Sequence, residues 1–96
     1  MITRHIKVIG RVQGIGFRRW AEDVASHLNL SGWVRNNSDG AVEIMVQGPE
    51  NEVSKFLSEC LKGPAFAHVL GIQPVIVPTA APAPIEQGTF KIIASV

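Results

Sequence analysis

Asp39 and Gly40 separate two extended-looking runs, SGWVRN and AVEIMVQG. An Asp-Gly step between such runs has the turn chemistry of a tight β-hairpin, because both positions tolerate positive φ. The two runs are therefore expected as antiparallel neighbours, and every other element must be arranged around them. Upstream, Ile2, Ile6 and Val8 share one parity of a segment reaching Gly10, while Thr3, His5 and Lys7 share the other. This is the pattern of a half-buried strand. Phe17, Trp20, Ala21, Val24, Ala25 and Leu28 then recur at helical spacing, opposite Glu22, Asp23, Ser26 and His27, so a first helix should begin near Phe17 or Arg18.

Downstream of the hairpin, Gly48-Pro49-Glu50 predicts a second helix with proline as its first helical residue and Glu50 and Glu52 near its positive end. Val53, Phe56, Leu57, Cys60 and Leu61 make its apolar stripe, and Gly63-Pro64 stops it. A strand around HVLGIQPVIV, a connection PTAAPAPIEQG and a last strand around TFKIIA complete the chain. The order β-α-β-β-α-β plus one strand predicts an α+β fold. It is a ferredoxin-like split βαβ sandwich, with two helices on one face of a mainly antiparallel sheet and a strand added C-terminally. Too little chain follows the proline-alanine run for another unit, so residues 1–96 are expected to form a single domain.

Hydrophobic residues make up 46% of the 96 residues and charged ones 18%, a balance that suits a folded chain. A formal net charge of +1 provides no broad field for nucleic acid, so any anion site must be local. The start lacks a signal peptide's long apolar segment, and no run approaches the ~20 apolar residues of a membrane span. A cytoplasmic location without membrane association is the expectation. Cys60 is the only cysteine, which leaves no internal disulfide and no zinc knuckle, and neither a metal nor another cofactor is expected. With no coiled-coil or repeat pattern, a monomer is expected.

The stretch GRVQGIGFRR carries Gly10, Gly14 and Gly16, followed by Arg18 and Arg19. Such a loop offers main-chain N–H groups at the start of a helix, where the helix dipole also favours negative charge. Arg18 adds a planar fork suited to two phosphate oxygens. Taken alone, the glycines could merely shape a tight connection and Arg18 could pair with a surface carboxylate. The stretch also lacks the ending of a P-loop and the spacing of a dinucleotide fingerprint. Arg11 and Arg19 read as solvated charge, and Gln13 could touch a ligand or brace the loop. In a split βαβ unit the first two strands run parallel, so this loop and Asn36 emerge at one sheet edge. With a strand between them they stand roughly 10 Å apart, two strand spacings.

GRVQGIGFR, together with the asparagine of GWVRNNSDGAVEI eighteen residues after Arg18, resembles the acylphosphatase family, and the likeness runs to about Gly63-Pro64 and includes VQGP. The resemblance implies a small α/β sandwich that hydrolyses the carboxyl-phosphate bond of small acyl phosphates without a metal. It implies that the loop from Arg11 through Val12, Gln13, Gly14, Ile15, Gly16 and Phe17 to Arg18 binds the phosphate, and that Asn36 orients the attacking water. Arg18 and Asn36 are then the catalytic pair, and inorganic phosphate is both product and competitor. The later run GPAFAHVLGIQPVIVPTAAPAPIEQG is more apolar and proline-rich than the family pattern.

Two other classes compete. A noncatalytic module on the same scaffold would bind phosphate or acyl phosphate without turnover. An RNA-binding domain shares the element order, but TRHIKVIG and AVEIMVQG lack the stacking aromatics such a module places on its central strands. His5, His27 and His68 are expected as surface or structural histidines, Cys60 as a packed thiol, and Trp20 and Trp33 as packing. Asn37, Ser38 and Asp39 are read as turn-formers that hold Asn36 in place.

Overall fold

A computed structural model describes residues 1–78 and 80–96; Thr79, in the expected proline-alanine connection, lies outside the described residues. The chain runs β1 (Ile2–Arg11), α1 (Phe17–His27), β2 (Ser31–Asn36), β3 (Val42–Gly48), α2 (Glu50–Lys62), β4 (His68–Pro74) and β5 (Phe90–Ile92). The strands form one sheet in the order β4-β1-β3-β2-β5. All neighbouring pairs are antiparallel except β2 with β5, which is parallel. The Asp39-Gly40 hairpin sets Asn36 opposite Val42 and Ser31 opposite Gln47. The strand on the far side of β3 is β1, with Val8 opposite Val42. Strands β1 and β2 thus run parallel with β3 between them, which is the split βαβ arrangement.

Alternation along the strands sorts residues onto two faces. Ile6 and Val8 of β1, Val34 of β2, and Val42, Ile44 and Val46 of β3 meet Phe17, Ala21 and Ala25 of α1 and Val53, Phe56 and Cys60 of α2 in one core. Phe56 packs edge-on against Phe90 of β5 with ring centres 5.6 Å apart. Burial of each large apolar side chain contributes ~1.5–3 kcal/mol, so this single layer supplies most of the driving force for closing the sandwich.

Several boundaries differ from the sequence expectations. Pro49 is the cap before α2 (φ −59°, ψ 141°) rather than its first helical residue, and Glu50 opens the helix. The extended backbone at a proline suits that position as well as the first turn would. Leu61 is exposed, outside the stripe expected for α2. Strand β4 runs to Pro74, and the Val75 amide still donates to the His5 carbonyl of β1 at 2.9 Å; beyond it Ile76 and Val77 are exposed.

The largest departure lies on the sheet face away from the helices. The proline-alanine connection crosses it as a strap. The Trp33 indole donates to the Ala83 carbonyl at 2.9 Å, and the Arg35 guanidinium reaches the carbonyls of Ala81 and Ala80 at 3.4 and 3.5 Å. The amide of Gly88 donates to Ser31 Oγ at 2.9 Å. Beneath this strap Trp33, Arg35 and Glu43 are buried, and His5 contacts the Glu43 carboxylate. His5, expected on an outward strand face, is therefore held in a covered cluster with only 17% of its side chain exposed.

Candidate active site

The cradle lies between β1 and α1. Val12 and Phe17, both buried, anchor its two ends in the core, and Ile15 packs against the same cluster. Gly14 (φ 75°) and Gly16 (φ 81°) take left-handed backbone, and a Cβ built at either would meet no atom within 4 Å. Glycine is required here for conformation and not for space. Gly10 serves the sheet instead, since a Cβ there would lie 2.2 Å from the His68 carbonyl oxygen of β4.

Gly16 is also the cap of α1. Among the described residues no side chain caps this end of the helix, and its first turn holds no acidic residue. The first main-chain N–H groups and the positive end of the helix dipole are thus left without an internal anion. A cavity of about 220 Å³ opens there, lined by Val12, Gly14, Gly16, Phe17, Arg18, Arg19, Asn36 and Ile92. Water occupies ~30 Å³ per molecule in the liquid, so the space suits a tetrahedral anion together with water.

Arg18 and Asn36 line this one cavity from α1 and β2. Arg18 forms no ion pair among the described residues, whereas Arg19 is paired with Asp23 at 3.4 Å and lies 3.9 Å from Glu22. The alternative of Arg18 as a surface ion-pair partner finds no carboxylate. Arg11 does not line this cavity; it is exposed and borders a separate one with Ile9, Gly10, Asp39 and His68.

Gln13 acts as a brace. Its side-chain amide donates at 2.8 Å to the carbonyls of both Asn37 and Ala41, stitching the cradle to the hairpin turn. The turn is closed by Asn37 N–H to Ala41 O (2.9 Å) and Gly40 N–H to Asn37 O (3.1 Å). Asp39 accepts from Ala41 N–H at 2.9 Å and pairs with Lys7 of β1; this Lys7 contact, with the Ala41 N–H, holds its carboxyl below the usual carboxylate range. Asn36 therefore leads into a turn tied to β1 by Lys7 and to the cradle by Gln13. On its other side, the Val96 amide donates to the Asn36 carbonyl at 3.0 Å and Ile93 N–H to Val34 O at 3.0 Å. The part played by Ile92, Ile93 and Val96 beside Asn36 was not visible in the sequence. Its only signal was the short apolar run after Thr89, which gives no partner.

Other reactive groups stand apart from the cavity. His27 bonds to the Asp23 carbonyl at 3.0 Å on α1, and His68 lies exposed on β4. Cys60 is buried, and that burial pushes its thiol well above the ordinary range. Such a thiol is a packed apolar group and a poor nucleophile at neutral pH.

The acylphosphatase family model matches residues 4–92, which include both the cradle and Asn36. The chain belongs to the acylphosphatase family. An acylphosphatase of Azorhizobium caulinodans is 42% identical over 94 residues, covering 98% of this chain and 97% of the relative. One of Acidiphilium cryptum is 44% identical over 91 residues, covering 95% and 96%. The crystal structure of acylphosphatase from Bacillus subtilis superposes with a TM-score of 0.79 at 34% identity, covering 97% of this chain and 99% of that one. The acylphosphatase fold thus extends through the strap and β5, beyond the Gly63-Pro64 limit of the sequence resemblance. No acylphosphatase helix among the described residues is long and apolar enough to cross a membrane.

Proposed function

We propose that this member of the acylphosphatase family hydrolyses small acyl phosphates, with the phosphoryl group in the cradle and Asn36 directing the water. The observation that carries the reading is the meeting of an unpaired Arg18 and Asn36 in one cavity at a helix N-terminus that no side chain caps. The loop amides and the Arg18 fork hold the phosphoryl oxygens and stabilise the charge that grows on them. The Asn36 amide accepts from and donates to a water, fixing it in line with the carboxylate leaving group.

Water attacks phosphorus and the phosphorus–oxygen bond to the acyl carboxylate breaks. The carboxylate departs with the bonding pair, and the water's proton passes to the phosphate product or to solvent. A carboxylate with an ordinary pKa near ~4 needs no acid to leave. The cavity lining contains no Asp, Glu, His or Cys that would supply one. Positioning and fixed positive charge therefore account for the rate enhancement.

The reading is tested by benzoyl phosphate hydrolysis with chelator present, comparing the parent with Arg18→Ala and Asn36→Ala. Loss of one such stabilising group lowers kcat by roughly 10²–10³-fold, so both variants should be nearly inactive while remaining folded. Inorganic phosphate should inhibit the parent competitively, and Arg18→Ala should weaken that inhibition more than Asn36→Ala. Phosphate binding by a folded parent without turnover would overturn the catalytic assignment.

A further inference from the structure

We propose that Arg35 and Glu43, on the face of the sheet behind the cavity, are positioning residues for Asn36, with His5 and the strap completing the device. The proposal rests on the role just given to Asn36. Arg35 precedes Asn36 on β2, so its side chain leaves by the opposite face. In register, Arg35 stands opposite Glu43 and Asn36 opposite Val42, with Lys7 and Val8 of β1 beyond them.

The Glu43 carboxylate takes Arg35 in a two-point grip, Nε to Oε1 at 3.0 Å and Nη2 to Oε2 at 3.2 Å. Its Oε2 also accepts from His5 Nε2 on β1. One carboxylate therefore joins β1, which feeds the cradle, to β3 and to β2, which presents Asn36. The separation of cradle and water is a matter of two strand spacings, and this group fixes both. The guanidinium is further held 4.7 Å above the Trp33 ring centre and beneath the carbonyls of Ala80 and Ala81. A two-point fork restrains rotation about its own plane in a way that a single point charge does not.

Packing alone does not call for this arrangement. Glu43 is fully buried and the Arg35 side chain is 4% exposed, and desolvating such a pair costs as much as its attraction returns. Apolar residues of similar volume would fill the same space at least as stably. What they lack is direction: they would not define the rotation of β2 about its axis, on which the aim of Asn36 depends.

The test measures kcat, phosphate inhibition and thermal midpoint for the parent, Glu43→Gln, and the paired replacement Arg35→Met with Glu43→Leu, each with Asn36 present and as Asn36→Ala. The paired replacement leaves no buried charge unpartnered, so it separates aim from stability. With Asn36 present, kcat should fall roughly tenfold or more in both back-face variants, since small misplacements of a reacting group are costly. Phosphate inhibition should stay within about twofold, because the cradle is not the part that moves. In the Asn36→Ala background the same changes should have little further effect on kcat, the mark of groups acting through one another.

Unchanged kcat in a folded paired variant would overturn the proposal, as would an equal loss with and without Asn36. Should either variant fail to fold, the partly exposed His5→Gln reads the same axis. It removes only the β1 link and should lower kcat several-fold with phosphate inhibition unchanged; kcat at the parent value would overturn the proposal. A parent without turnover, or an Asn36→Ala variant as active as the parent, would instead refute the reading of function on which the proposal stands.

Discussion

Gly16 joins two requirements in one residue: it caps α1 from left-handed backbone, and it exposes the helix end to the cavity. Because nothing lies within 4 Å of a Cβ at this position, substitution there isolates the backbone requirement. Left-handed backbone costs a residue with a Cβ ~1–2 kcal/mol, and asparagine less than most. Gly16→Ala should lower stability by about that amount and weaken phosphate inhibition, while Gly16→Asn recovers part of both. Urea unfolding and inhibition assays on the two variants check this. An equal loss of inhibition in both, with stability unchanged, would point to crowding by the ligand and away from φ. The sequence made this residue legible, since glycine before a helical stripe has few other uses. It did not separate Gly10, which clears a path for the β4 backbone, from the two glycines that shape the cradle.

At the scale of elements, alternation and turn chemistry revealed nearly every strand and helix, because each carries an apolar stripe with the right period. They could not reveal what covers the second face of the sheet. The strap has no period and binds chiefly through main-chain groups, which every residue possesses. His5 consequently reads as outward-facing, and nothing in the sequence marks Arg35 and Glu43 as its enclosed partners. Enclosure leaves a titration signature. Burial pushes the Glu43 carboxyl up, but the hydrogen bonds and charges of Arg35 and His5 outweigh it and hold the group below its ordinary range. Its contribution to stability is present above the unfolded value near ~4.3 and is lost as pH falls through the lower folded value. Glu43→Gln, which strands Arg35, should cost ~3–5 kcal/mol at pH 7, with the deficit shrinking in acid below pH ~4. Denaturant unfolding at the two pH values measures the difference. A deficit independent of pH would mean that the pair is not ionised in the folded protein.

For the molecule as a whole, both edges of the sheet are closed by long-range pairings, β1 with β4 on one side and β2 with β5 on the other. Gly32 of β2 meets Phe90 of β5 in parallel, and Val96 reaches back to the Asn36 carbonyl. By contrast, β1, the cradle, α1 and the hairpin are close neighbours along the chain. Pairing across a long loop is slow, because chain entropy is lost before contacts compensate for it. A refolding or emerging chain should therefore assemble its anion cradle first and align its water last. Phosphate binding sampled at intervals after dilution from urea, followed beside benzoyl phosphate turnover, would show ligand binding recovering ahead of activity; simultaneous recovery would mean that β5 docks with the rest. If binding recovers first, the parallel strand works as a late-closing clasp, and a newly made chain would hold phosphate before it could cleave an acyl phosphate.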